Sequence, residues 1–92
     1  MIKSFRRADT EALSKGDHVR RFVNIAAVAR RKLRQLEIAG RLDDLKVPPG
    51  NRLEALKGDR RGQHSVRIND QWRLCFVWHD GDAYDVEVVD YH

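Results

Sequence analysis

The sequence predicts an α+β domain in which helices come first and an antiparallel sheet follows. Three observations carry this. Apolar residues recur at three- and four-residue steps between Asn24 and Gly40, the signature of an amphipathic helix. Beyond Arg52 the periodicity changes to two, with apolar and polar residues alternating from Ser65 and again from Trp72 to Trp78. Turn-forming residues separate these runs, as Asn69-Asp70-Gln71 and His79-Asp80-Gly81-Asp82. Segregated helices and strands define the α+β class.

Taken in order, Ile2 to Phe5 alternates and reads as a short first strand. Asp9 is placed to cap a helix over Thr10 to Ser14, with Gly16 as its stop. The main helix follows, with Ile25, Val28, Ala29, Leu33 and Leu36 on the buried side and Arg30, Arg31, Arg34 and nearby Lys32 on the other. Leu42 to Val47 adds a short helical turn before Pro48-Pro49-Gly50 breaks regular structure. Arg52 to Leu56 reads as a strand with Leu53 inward, and Lys57-Gly58-Asp59-Arg60-Arg61-Gly62 as a glycine-flanked basic loop. Gln63 to Ile68, Trp72 to Trp78 and Ala83 to Val89 complete a meander. Trp72 and Trp78 share a strand face with Leu74 and Phe76, so both belong to the core.

Composition narrows the class. Ninety-two residues form one small domain, residues 1–92, with one modest core. Hydrophobic residues make up 41% and charged residues 35%, a balance that predicts a folded, soluble chain. No apolar run approaches the roughly 20 residues of a membrane helix, and no signal core follows the first residues, so a cytoplasmic protein without a membrane partner is expected. Cys75 is the single cysteine, which excludes an internal disulfide and any two-cysteine metal motif; flanked by Leu74 and Phe76, it reads as a packed thiol. His18, His64 and His79 fall at no ligand spacing, so neither a metal site nor a cofactor is expected. The charge is uneven: residues 1–47 hold twelve Lys/Arg against six Asp/Glu, and residues 48–92 six against eight. The basic helix face is either solvated surface or a contact for nucleic-acid phosphates.

The chemistry concentrates after residue 51. Arg67 and Arg73 lie on strands joined by a hairpin turn, where two guanidiniums form a fork for phosphate; each could instead serve a structural carboxylate, Arg73 reaching Asp70 or Asp90. The chain closes on Asp90-Tyr91-His92, a carboxylate, a phenol and an imidazole that can take or give protons or position a ribose. Cleavage of RNA by internal attack needs a base at the 2′-hydroxyl, positive charge at the phosphorane and an acid at the departing oxygen.

Leu56-Lys57-Gly58-Asp59-Arg60, Ser65-Val66-Arg67-Ile68-Asn69, Gln71-Trp72-Arg73-Leu74-Cys75-Phe76 and Val89-Asp90-Tyr91-His92 resemble, in order and spacing, the HigB branch of the RelE superfamily. Met1-Ile2-Lys3-Ser4-Phe5 resembles that family's first strand. The resemblance implies a RelE-like sheet of about four to five mainly antiparallel strands with two to three helices on one face. It also implies a type II toxin: a ribosome-dependent, metal-independent mRNA endoribonuclease that inhibits translation and is neutralised by a HigA-like helix-turn-helix antitoxin. The implied partners are mRNA in the ribosomal A site, ribosomal RNA, the antitoxin and, through it, operator DNA. The implied catalytic residues are Arg67, Arg73, Lys57, Glu54, Asp90, Tyr91 and His92, with Glu54 standing where some relatives carry histidine; the base is Glu54, Lys57 or His92. RNA or ribosome contacts fall to Arg30, Arg31, Arg34, Arg60, Arg61 and His64. The alternatives are a non-catalytic RNA- or ribosome-binding module and a co-repressor subunit of a DNA-binding complex.

Overall fold

A computed structural model describes residues 1–91. Its frame is a four-stranded antiparallel sheet in the order β1 (Glu54–Ala55), β2 (His64–Arg67), β3 (Trp72–His79) and β4 (Asp82–Asp90). Two helices, α1 (Ala8–Ser14) and α2 (Ala26–Ile38), precede it in the chain. The α+β expectation, helices first and an antiparallel sheet afterwards, holds. The first segment is less regular than a strand: it meets β4 in parallel through two isolated bridges, Ile2 with Ala83 and Phe5 with Val86.

Alternation decides what each face does. Val66, Leu74, Phe76, Val86 and Val88 are buried with Ala29, Leu33 and Leu36 of α2, Leu13 of α1 and Phe22. Each fully buried Leu or Phe contributes about 2 kcal/mol from removal of apolar surface. Trp72 and Trp78 pack against this core as expected, Trp72 edge-on to Phe22 at 5.6 Å and Trp78 edge-on to Phe76 at 6.4 Å.

Helix boundaries follow local chemistry with one correction. The N-cap of α1 is Arg7, not Asp9, and no side chain caps it. Asp9 lies within the first turn, where a carboxylate favours the helix dipole, and accepts from Arg21 Nη1 at 2.9 Å. The segment after α1 continues through a 3-10 turn, Arg20–Phe22, that buries Phe22 completely. The turn expected after α2 is a 3-10 turn, Leu42–Lys46.

Buried Asn51 fixes the approach to β1. Its Nδ2 donates to Gln35 Oε1 at 3.0 Å and to the Leu45 carbonyl at 3.1 Å, while its Oδ1 accepts from Lys32 Nζ. Burial, and then the charge of Arg31, lower the pKa of Lys32. The expected strand over Arg52 to Leu56 shortens to Glu54–Ala55, because Arg52 takes a left-handed conformation (φ 46°) that breaks extension. Leu53 is half-buried against the core, as expected.

Candidate nucleic-acid interface

The sheet face away from the helices carries polar groups in register. Glu54, Ser65, Cys75 and Glu87 form one cross-strand row, and Arg67, Arg73 and Val89 the next. Arg67 and Arg73 are direct Cα partners, so the two predicted cations stand side by side. The hairpin that creates this register turns on Asn69, whose Oδ1 accepts from the backbone N–H groups of Gln71 and Trp72, both at 2.8 Å.

The two arginines are held differently. Arg73 is 12% exposed; its Nε donates to Ser65 Oγ at 2.7 Å, its Nη2 donates to the Arg52 carbonyl at 2.8 Å and lies 3.4 Å from Glu54 Oε1. Arg67 is 32% exposed and pairs through Nη2 with Asp70, a residue almost wholly in solvent. Arg73 thus pairs with Glu54, and Asp70, one of the carboxylates the sequence offered to Arg73, pairs with Arg67; Asp90 accepts from Gln71 Nε2 at 3.1 Å. Arg73 is a fixed cation and Arg67 an available one.

Tyr91 extends this face. Its ring centroid lies 6.0 Å from the Arg73 guanidinium carbon, and Cys75 is a neighbour that bears on its titration. Partial burial and the neighbouring Cys75 raise its pKa, so the phenol keeps its proton at neutral pH and is not a base. Cys75 is fully buried, the packed thiol that the sequence indicated, and burial pushes its pKa up. Arg60 reaches the same region from a 3-10 turn, Gly58–Arg60, in the basic loop; its Nη1 donates to Glu87 Oε1 at 2.8 Å, the main cause of its raised pKa. Gly58 (φ 64°) and Gly62 (φ 93°) supply the left-handed positions at which this loop turns. Lys57 and Arg61 are exposed at its ends.

Glu54, Arg60, Arg67, Arg73 and Tyr91 are therefore brought together, with Lys57 and Arg61 on the adjoining loop. His64 is not: it pairs with Phe76 across the strands and stacks on it at 6.3 Å on the core side, where its buried Nδ1 has no hydrogen-bond partner among the described residues. The helix arginines stand apart from the sheet group. Arg30 is tied to α1 through the carbonyls of Leu13 (3.1 Å) and Asp17 (2.9 Å), whereas Arg31 and Arg34 are exposed. Arg30 and Arg34 border a cleft of about 450 Å³ formed with Ile2, Phe5 and Leu33. His92 lies outside the described residues. Among those residues no cluster of three His, Cys, Asp or Glu could hold a metal, and no helix is long and apolar enough to cross a membrane.

Ser65, Arg52 and Glu87 are participants that the sequence reading missed. The signal for Glu87 was present, a carboxylate between Val86 and Val88 in an apolar strand, but only the register to Cys75 shows which face it takes.

Residues 3–92 match the family described as the RelE-like toxin of type II toxin–antitoxin system HigB. Toxin HigB-1 of Vibrio cholerae is 51% identical over 53 residues, covering 58% of this chain and 56% of that protein. Endoribonuclease HigB of Proteus vulgaris is 44% identical over 41 residues, 45% of each chain. The chain thus aligns with about half the length of these relatives. A YafQ variant from E. coli superposes with a TM-score of 0.63 at 12% identity, over 99% of this chain and 94% of that one. The Staphylococcus aureus YoeB–YefM complex gives 0.58 at 19% identity, over 100% and 98%. These two structures share the fold, and the sequence match reaches further: the chain belongs to the HigB family of RelE-like toxins of type II toxin–antitoxin systems.

Proposed function

We propose that this chain is a ribosome-dependent, metal-independent mRNA endoribonuclease that acts in the cytoplasm, inhibits translation and is neutralised by a cognate helix-turn-helix antitoxin. The observation that carries the reading is the pairing of Arg67 with Arg73 on the sheet face away from the helices, bordered by Arg60, Glu54 and Tyr91. Two adjacent guanidiniums suit a phosphate that gains charge in the transition state, and side-chain cations can supply what a metal ion supplies elsewhere. The name of the Proteus vulgaris relative supports an endoribonuclease. The toxin–antitoxin family and the partnered YoeB chain support an antitoxin.

In the proposed reaction Glu54 takes the proton of a ribose 2′-hydroxyl, and the freed oxygen attacks the adjacent phosphorus. Arg67 and Arg60 meet the charge of the phosphorane. Arg73, locked by Ser65 and Arg52, fixes Glu54 by the ion pair at 3.4 Å. Tyr91, protonated, stacks on or hydrogen-bonds to the nucleotide. The departing 5′ oxygen takes a proton from His92 or Lys57, leaving a 2′,3′-cyclic phosphate and a 5′-hydroxyl; the part of His92 and Asp90 rests on the family resemblance. Arg31, Arg34 and Arg61 contact ribosomal RNA, and operator DNA is reached only through the antitoxin.

Primer extension on a reporter mRNA in a purified translation system tests this, with wild type, Arg67→Ala and a chain lacking Tyr91-His92. Cuts that need ribosomes and vanish in both variants are expected. Intact ribosome binding without cuts would instead indicate a non-catalytic binding module.

A further inference from the structure

Glu87 is a buried carboxylate on the face that meets RNA in the proposed reaction. It is 6% exposed and stands opposite Cys75 in the register. Two arginines converge on its Oε1: Arg60 Nη1 at 2.8 Å and Arg6 Nε at 3.7 Å. Neither approach is incidental. Arg6 is delivered by its own backbone, since its N–H donates to the Val86 carbonyl at 3.0 Å, one residue before Glu87. Arg60 comes from the opposite direction, on a loop whose neighbours Lys57, Asp59 and Arg61 are all exposed.

A buried carboxylate beside an RNA-binding surface has two disadvantages. It must be compensated to stay charged, and it repels phosphate. The two arginines remove both, because one negative charge between two positive ones leaves the cluster cationic. The geometry also directs Arg60. Its Nη1 makes both bonds, to Glu87 Oε1 and to Gln63 Oε1 at 3.1 Å, so among the described residues Nε and Nη2 have no partner. A guanidinium gripped at one nitrogen presents its remaining edge in a fixed direction, whereas an arginine on an exposed loop without such a grip disperses over many rotamers.

We propose that Glu87 is a positioning residue of the RNA site: with Arg6 as counter-charge, it aims the free edge of Arg60 at the phosphate held by Arg67. This rests on the ribonuclease reading above. Glu87 does not touch RNA, and its effect passes through Arg60.

The test is single-turnover cleavage of a reporter mRNA on purified ribosomes at saturating toxin, with apparent ribosome affinity and thermal midpoint measured for every variant. Glu87→Gln is expected to slow cleavage about tenfold with ribosome affinity unchanged, because the oriented charge-assisted bond acts only in the transition state. In an Arg60→Ala background the same change is expected to alter the rate by less than about twofold, since coupled residues are non-additive. Glu87→Asp, which keeps the charge and withdraws the carboxylate, is expected to slow cleavage with the thermal midpoint preserved, and it decides the matter where Glu87→Gln unfolds. Wild-type rates in Glu87→Gln and Glu87→Asp, or an equal slowing by Glu87→Gln with and without Arg60, would overturn the proposal alone. A wild-type chain that cuts no mRNA would overturn the ribonuclease reading and this proposal with it.

Discussion

Arg67 and Arg73 face each other across β2 and β3, and the fold gives each its own carboxylate, Asp70 for Arg67 and Glu54 for Arg73. Like charges directly opposite in a sheet are destabilising, so this pairing needs compensation. The compensation is unequal. Asp70 is 98% exposed and bonds Arg67 at the mouth of a turn, where a phosphate can replace it, while Arg73 is enclosed. Removing Arg67 should therefore affect chemistry more than folding. Arg67→Ala is expected to lower single-turnover cleavage on ribosomes about 100-fold, the scale of one transition-state charge contact. Arg67→Lys should recover only part, because an ammonium cannot reproduce the fork. Cleavage at wild-type rate by Arg67→Ala would exclude Arg67 from the reaction.

Arg73 should behave in the opposite way in a stability measurement. Its side chain satisfies Ser65 Oγ and the Arg52 carbonyl, and Arg52 sits in a left-handed conformation that few non-glycine residues adopt. Arg73→Ala leaves both acceptors unmatched, and Ser65 is fully buried. A loss of about 2 kcal/mol in urea unfolding is expected. Equal unfolding midpoints for Arg73→Ala and Arg67→Ala would show that this hydrogen-bond set does not hold the sheet edge.

Glu54→Gln separates base from frame. The amide keeps a hydrogen-bond acceptor for Arg73 and cannot take a proton from the 2′-hydroxyl. Cleavage is expected to fall about 100- to 10,000-fold at neutral pH, the range for loss of a general base, with the thermal midpoint nearly unchanged. Retained cleavage would move the base role to Lys57 or His92.

The extent to which sequence disclosed this molecule follows from which interactions are local. Periodicity alone located α2, the β2–β3 hairpin and the burial of Trp72 and Trp78, because each depends on residues within one element or one turn. Arg67 and Arg73 were legible as a pair for the same reason: Asn69-Asp70-Gln71 fixes the register between them. What escaped depends on distant partners. Asp9 has the chemistry of a cap, but its bond to Arg21 and the position of Arg7 are set by how α1 meets the following turn. His64 alternates correctly for a strand, yet the pairing with Phe76 that turns it to the core side lies twelve residues away. Glu87 is bound to Arg60, far off in sequence, and no local rule announces that contact.

Stability should fall at alkaline pH, with Cys75 as the first cause. Burial raises its thiol pKa, partly opposed by the Arg60 charge. Below the ordinary thiol range both folded and unfolded chains hold the proton, and stability is constant. Above about pH 8.5 the unfolded thiol ionises while the folded one does not, so the unfolded state binds fewer protons and the native state loses ground until the folded thiol also ionises. Tyr91, raised in the same direction by burial and Cys75, adds its own loss at higher pH. Urea midpoints measured across pH 7 to 10 should decline for wild type and decline less for Cys75→Ala. Parallel declines would assign the effect to other groups.

Arg30 and Arg34 are one turn apart on α2 and should report different things. Arg30 donates to the carbonyl of Leu13, in the last turn of α1, and to that of Asp17, just beyond the helix, so Arg30→Ala should destabilise the fold by about 1–2 kcal/mol. Arg34 is exposed. If the basic helix face meets ribosomal RNA, Arg34→Ala should leave the urea midpoint in place and weaken ribosome binding. The dependence of log affinity on log salt should then become shallower, by a slope of about 1 for each phosphate no longer neutralised. The same substitution with an unaltered salt slope would make that face solvated surface, and ribosome affinity would then have to come from the sheet arginines and the Lys57–Gly62 loop.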